Sequence, residues 1–323
     1  MESSGSRPGQ PLGSGDSAMT LGERRNLIKG LVFVSPWIVG FLAFNLYPLI
    51  ASIWFSLCDY SVLSQPVFLG AQNYVDLWHD PVFWKALRNT IVFAVVAIPL
   101  STFLSIGLAV LLNQPIAGQG IYRTIFFLPS LVPAISLAIL WQWMLNGPMG
   151  LVNNLLRPFL NVINAVTGFH LQAPDWLNDP NFALWGLILT GLWGTGQAVV
   201  IYLAGLQEVP TELYEAAELD GTNAWQRFLH ITLPMLSPVI FFNVLMSIIG
   251  ALQTFAVPYI LTGGGDGPGR SLLFLATYIY QNAFDYWNMG YASALALCLF
   301  VLIIGLSLVT VHYGEKKVHY SGR

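Results

Sequence analysis

The chain alternates long apolar runs with short polar stretches. Six runs hold about 20 or more mainly apolar residues, the length a helix needs to cross the hydrocarbon core of a bilayer. They lie at about residues 30–57, 90–112, 124–145, 182–206, 235–261 and 291–313. Pro36 and Pro48 interrupt the first, and Pro129 and Pro133 fall inside the third. Only helices can span repeatedly in this way, because lipid offers no partner to a free backbone group. The pattern predicts an all-α membrane protein with six transmembrane helices.

One connection breaks the rhythm. Residues 206–234 are polar, helical in periodicity and longer than a simple connection requires. Leu213, Ala216 and Ala217 recur at i, i+3 and i+4, with Thr211 placed to cap that helix and Pro210 ahead of it. Asp220-Gly221 signals a turn, since glycine accepts the left-handed conformation that ends a helix. A second short helix, at about 223–230, carries Ala224, Trp225, Phe228 and Leu229 on one side. Leu233-Pro234 is expected to break it ahead of the fifth run. An apolar knob with Trp225 and Phe228 on a loop is expected to be buried in a partner.

Composition agrees with the pattern: 55% of residues are hydrophobic and 9% charged, against about 25% charged in soluble domains. A net charge of −3 with no basic cluster speaks against nucleic acid as a partner. Residues 1–22 are rich in Ser, Gly and Pro and are expected to be a disordered tail rather than a signal peptide. The remaining divisions fall at 23–84, the first span with its outer loop, at 85–313, the main membrane core, and at 314–323, a short tail. With six spans both termini share one side. That side holds nine Lys and Arg (Arg7, Arg24, Arg25, Lys29, Arg123, Arg227, Lys316, Lys317, Arg323), against four (Lys85, Arg88, Arg157, Arg270) on the other. The excess puts both termini and the 206–234 loop in the cytoplasm. Outer loops of about 30 residues at 59–88, 146–181 and 262–290 are then either a docking surface or short interfacial helices.

The absent chemistry is as informative. No GxxxxGK[ST] phosphate loop occurs, and the glycine run at 263–269 is followed by Arg270-Ser271 and preceded by no strand. Five scattered histidines show no metal spacing, and GxSxG is missing. Cys58 and Cys298 have no CxxC neighbour, and their spacing gives little ground for a disulfide. The six runs contain almost no ionisable side chain, which argues against a proton- or ion-coupled carrier. The chain reads as a path without its own energy source, so neither enzyme nor cofactor-binding protein.

Glu215-Ala216-Ala217, Gly221 and Ile231-Thr232-Leu233-Pro234 resemble the EAA loop of ABC importer permeases. The likeness extends, as similarity to the binding-protein-dependent sugar permeases of the maltose and glycerol-phosphate type, through Asn73-Tyr74, Phe83-Trp84, Arg88-Asn89-Thr90, the Arg123–Pro129 stretch and Leu261-Thr-Gly-Gly-Gly265. The resemblance implies a type I importer permease fold in a bacterial or archaeal plasma membrane. It also implies a second permease chain, an ATPase dimer that binds the ATP, and an extracytoplasmic sugar-binding protein. The coupling residues would be Glu215, Ala216, Ala217, Asp220, Gly221, Trp225, Phe228, Leu233 and Pro234. Other readings are a stand-alone ion-coupled sugar carrier and a purely structural membrane subunit.

Sugars are held by polar side chains beside aromatic faces. In the fourth run Thr190, Trp193, Gly194 and Gln197 fall at i, i+3, i+4 and i+7, one face of a continuous helix, and Ser247 and Gln253 are candidates in the fifth. Such small and amide residues also serve as glue between helices.

Overall fold

The computed structural model describes residues 21–314. The expected disordered N-terminal tail and all but Gly314 of the C-terminal tail therefore lie outside the described residues, Leu21 and Gly22 excepted. Among the described residues, regular structure is helical save for a hairpin in which Cys58–Asp59 pairs antiparallel with Val67–Phe68. Three helices, Arg24–Phe55, Pro81–Leu112 and Met289–Gly314, are long and apolar enough to cross a membrane. Three pairs pass the same test jointly but are bent: Gln119–Leu131 with Ala134–Met144 by 97°, Ala183–Trp193 with Gly196–Gln207 by 48°, and Ala224–Met235 with Ser237–Leu252 by 66°.

Residues up to Ala51 form one compact unit and those from Ser52 another. In the first unit the helix widens into a π turn at Leu42–Leu46 just before Pro48. Proline donates no N–H and its ring crowds the carbonyl four residues back, so a wider turn absorbs the fault.

In the second unit three of the apolar runs are broken rather than continuous helices. At the third run Pro133 forces its predecessor out of the helical region. Val132 sits at φ −72° and ψ 126°, and the chain turns there. In the fifth run helix Ser237–Leu252 stops at Gln253, and Ala256–Leu261 is a separate helix rather than a continuation to Leu261. Pro258 lies in the first turn of that new helix, where an N–H has no partner to lose. Close approach of the third and fourth runs depends on Gly196, where a Cβ would collide with the carbonyl oxygen of Phe126.

Three apolar clusters run along helix Pro81–Leu112. Near its start Phe83 and Ala86 meet Leu252, Leu273, Leu275 and Leu295. At mid-height Phe93 meets Trp141, Leu187 and Phe274. Toward its end Ile106, Ala109 and Leu112 meet Val199, Tyr202, Leu206 and Leu236.

Side chains lace the start of that helix to its neighbours. Asp80 caps it by accepting from Val82 N at 2.8 Å. The other carboxylate oxygen accepts from the hydroxyls of Tyr278 at 2.6 Å and Tyr291 at 2.7 Å. Buried Asn89 donates to the carbonyls of Arg270 and Leu273, and Thr90 Oγ1 accepts from Leu275 N. Burial alone would raise the Asp80 carboxyl, but the donated hydrogen bonds outweigh it and hold the group below the usual carboxylate range. Tyr278 is pushed up to about 12, by burial first and then by its bond to Asp80 and that charge.

Candidate functional site

A cleft of about 480 Å³ opens where helices Pro81–Leu112, Gly196–Gln207 and Ser237–Leu252 meet. Small hydroxyls enter it from the first of these: Ser101, Thr102 and Ser105. Ser105 is fully buried and its hydroxyl has no hydrogen-bond partner. Thr102 bonds the hydroxyl of buried Tyr202. From the last helix come Asn243, which donates to Val239 O at 3.0 Å and keeps its carbonyl free, and Ser247. The fourth run supplies Gly194, Thr195 and Gln197 at its bend.

The cleft lining holds no Asp, Glu, Lys, Arg or His. No group of His, Cys, Asp or Glu among the described residues could hold a metal ion. An orphaned buried hydroxyl is expensive in an apolar surrounding. Ser105 is the one such hydroxyl in the lining, since Ser101 and Thr195 donate to Ile98 O and Leu192 O three residues back. With the Gln197 and Asn243 amides beside it, the wall suits a neutral ligand rich in hydroxyls.

The structure regroups the sequence candidates. Gly194, Gln197 and Ser247 line the cleft. Thr190 does not: it is fully buried and donates to Gly186 O on its own helix at 3.0 Å. Trp193 stands edge-on to Trp141, with ring centroids 6.0 Å apart, outside the cleft lining. Gln253 caps the far end of helix Ser237–Leu252, also outside it. The expected single face fails because the helix breaks by 48° between Trp193 and Gly196, so Thr190 and Gln197 ride on different arms. Sequence reading missed Ser101, Thr102, Ser105, Thr195, Tyr202 and Asn243. The available signal was three hydroxyls within five residues of an otherwise apolar run.

The 206–234 connection lies at the other end of helix Pro81–Leu112 from Asp80. Helix Thr211–Leu219 begins after Pro210, and Thr211 is its first residue rather than its cap; no side chain caps it. It closes on Gly221 at φ 72°, with Gly221 N bonded to Glu218 O and Thr222 N to Ala217 O. Asn223 then opens the next helix through reciprocal bonds with Gln226 at 2.8 and 2.9 Å. That helix is α only over Ala224–Arg227 and widens into a π turn at Phe228–Thr232. Leu233-Pro234 does not end it. The wider turn accommodates the proline, a turn continues through Leu233–Met235, and the break falls at Leu236.

Trp225 and Phe228 stack at 5.6 Å, but they are not one free knob. Phe228 packs on the Ile106, Leu112 and Leu236 cluster, whereas Trp225 is 65% exposed. Glu215, Ala216 and Asp220 are exposed, and Ala217 is half-buried. Two side-chain links join the helices of this loop, Tyr214 to Thr232 at 2.9 Å and Glu218 to Arg227 at 3.5 Å.

A profile of the family described as "Binding-protein-dependent transport system inner membrane component" matches residues 97–317. The chain is 36% identical to the probable ABC transporter permease protein YesP of Bacillus subtilis (strain 168), over 96% of this chain and 99% of that one. It is 36% identical to the lactose transport system permease protein LacF of Rhizobium radiobacter, over 90% and 95%. Its fold is similar to a chain of the crystal structure of a bacterial ABC transporter that imports the acidic polysaccharide alginate. That match has a TM-score of 0.75 at 23% identity and covers 91% and 96% of the two chains.

Proposed function

Because the chain belongs to the family of binding-protein-dependent transport system inner membrane components, we propose that it is the path-forming permease subunit of an ATP-driven carbohydrate importer. Relatives named for lactose, for sulfoquinovosyl glycerol and for trehalose/maltose transport support a sugar or glycoside as cargo. The observation that carries the reading is the uncharged cleft, in which Gln197, Asn243, Ser247 and the orphaned Ser105 hydroxyl converge. These groups are fitted to exchange hydrogen bonds with a neutral polyhydroxylated solute as it sheds water.

On this reading the chain crosses the membrane six times, the three bent pairs each counting as one span. Both termini and the 206–234 loop are cytoplasmic, as the nine-to-four distribution of Lys and Arg supports. The ATPase dimer docks beneath, against exposed Glu215 and Trp225. The movement passes through the Gly221 turn to Phe228, Leu233 and Pro234, where Phe228 is rooted in the core beside Leu236. A second permease chain completes the path, and an extracytoplasmic binding protein delivers the solute. An alginate importer has been captured in complex with its loaded periplasmic protein, which supports the last partner type.

The test is transport by the assembled complex in vesicles. Gln197→Ala with Asn243→Ala is expected to lower uptake about tenfold or more, as loss of two solute hydrogen bonds implies, with basal ATP hydrolysis unchanged. Normal uptake by that double variant would remove the cleft from the path.

A further inference from the structure

We infer that the crevice beside Arg123 seats an anionic phospholipid, its phosphate on the guanidinium and an acyl chain along Phe127, Val200 and Leu203. The crevice, about 360 Å³, lies between helices Gln119–Phe127 and Gly196–Gln207. Arg123 is half-buried, and its Nε is buried with no hydrogen-bond partner. Its one bond runs from Nη2 to Leu112 O at 3.4 Å, too long to be strong. Both ion pairs among the described residues lie elsewhere, at Arg227–Glu218 and Arg270–Asp266. A partly desolvated cation without a counter-charge is costly, so the site calls for an anion that this part of the chain does not supply.

The rest of the lining says which anion. Thr124 and Gln207 share with Arg123 the polar end, or mouth, of the crevice, and the Thr124 hydroxyl already donates to Gly120 O at 2.9 Å, which leaves the Gln207 amide as the second donor toward an anion. Phe127 lies one turn deeper on one wall, and Leu203 and Val200 lie one and two turns deeper on the other. The apolar wall from Ala204 to Val200 is therefore about 6 Å long, at 1.5 Å per residue, enough to seat the first few methylenes of an acyl chain. A free phosphate would satisfy the mouth and leave this wall uncovered. A phospholipid supplies both parts, and a guanidinium fork suits phosphate oxygens. Basic crevices between spans on the cytoplasmic side are suited to such headgroups. The leaflet assignment alone rests on the orientation proposed above.

The experiment is native mass spectrometry of the intact transport complex, stripped of lipid and titrated with phosphatidylglycerol or phosphatidylcholine. The unaltered complex is expected to retain more phosphatidylglycerol than Arg123→Gln, which should bind it about tenfold more weakly. Phosphatidylcholine should compete poorly, and Arg123→Lys should retain an intermediate level. Val200→Trp fills the tail groove without touching the cation and should cut retention as well. Equal phosphatidylglycerol counts in the unaltered, Arg123→Gln and Val200→Trp complexes would overturn the inference. So would a thermal shift by inorganic phosphate equal to that by the lipid, which marks a free-anion site. Release of a companion chain by Arg123→Gln with the lipid count unmoved would also overturn it, assigning the cation to a protein carboxylate.

Discussion

The two ends of helix Pro81–Leu112 are held in different ways. At the Asp80 end, the outer one on the orientation proposed above, Asp80, Asn89 and Thr90 reach across to Tyr278, Tyr291 and the backbone at 270–275, and each of these bonds joins segments more than 180 residues apart in the chain. At the opposite end, the inner one on that orientation, the attachment is mostly apolar, and the 206–234 loop meets the bundle through turns, a π segment and a 66° break. Directional bonds to buried backbone carbonyls fix position and register, because breaking one strands a polar group away from water. Apolar contact resists separation but tolerates sliding. The outer end is thus built as a frame and the inner end as a set of joints, which suits the drive proposed for the 206–234 loop.

The contrast can be broken first at Asn89. Asn89→Leu leaves the carbonyls of Arg270 and Leu273 without their donor. It is expected to cost about 2–4 kcal/mol, read as a marked fall in the melting temperature of the purified complex. A melting temperature unmoved by this change would mean that the outer frame is not held by its polar ties.

Next comes Gly221. Its φ of 72° strains any branched side chain, so Gly221→Val is expected to cost about 1–2 kcal/mol locally. The frame should melt almost normally while sugar uptake is lost. Uptake at the normal rate would separate the turn from the drive.

The Asp80 cluster sharpens the comparison through pH. The Asp80 carboxyl is depressed in the folded state, so its contribution is complete above the ordinary value of 3.8 and fades as pH falls through the lower folded value. Tyr278 is raised from 10.0 to about 12, so its contribution is complete below pH 10 and fades as pH rises through about 12. Thermal stability of the outer end should be flat between these limits. In Asp80→Asn the acid-side fall should be smaller, as hydrogen exchange at 275–280 would report.

The smallest effect belongs to the loop's ion pair. Glu218 is 75% exposed at 3.5 Å from Arg227, so Arg227→Gln is expected to change stability by less than about 1 kcal/mol. A larger loss would show that the inner end is more firmly tied than its geometry indicates.

The apolar runs were legible because a crossing helix needs a long unbroken stretch of apolar residues, and a run such as 90–112 has no competing reading. The bends were not. Pro133 announces that something happens, but whether a proline kinks a helix or stops it depends on what packs beside it. Pro234 was expected to end its helix, and the wide turn before it lets the helix pass. The loop's Gly221 could be read from its own chemistry, since only the local backbone decides it. The cleft could be read in part. Gln197 stands out as an amide in an apolar run, whereas Thr102 and Ser105 look like residues that bond their own helix, as Ser101 and Thr190 do. Tertiary arrangement decides which hydroxyl turns inward, and one 48° break moved Thr190 and Trp193 off the face they were expected to share with Gln197.

The uncharged cleft has an electrical consequence. Membrane voltage does work of about 2.3 kcal/mol on each elementary charge moved across 100 mV. Ser101, Ser105, Gln197, Asn243 and Ser247 carry no formal charge, and neither would a neutral solute among them. A neutral solute passing such a lining would move no charge through the field. On the proposed path, the transfer of a neutral solute would itself neither draw on the membrane potential nor drain it.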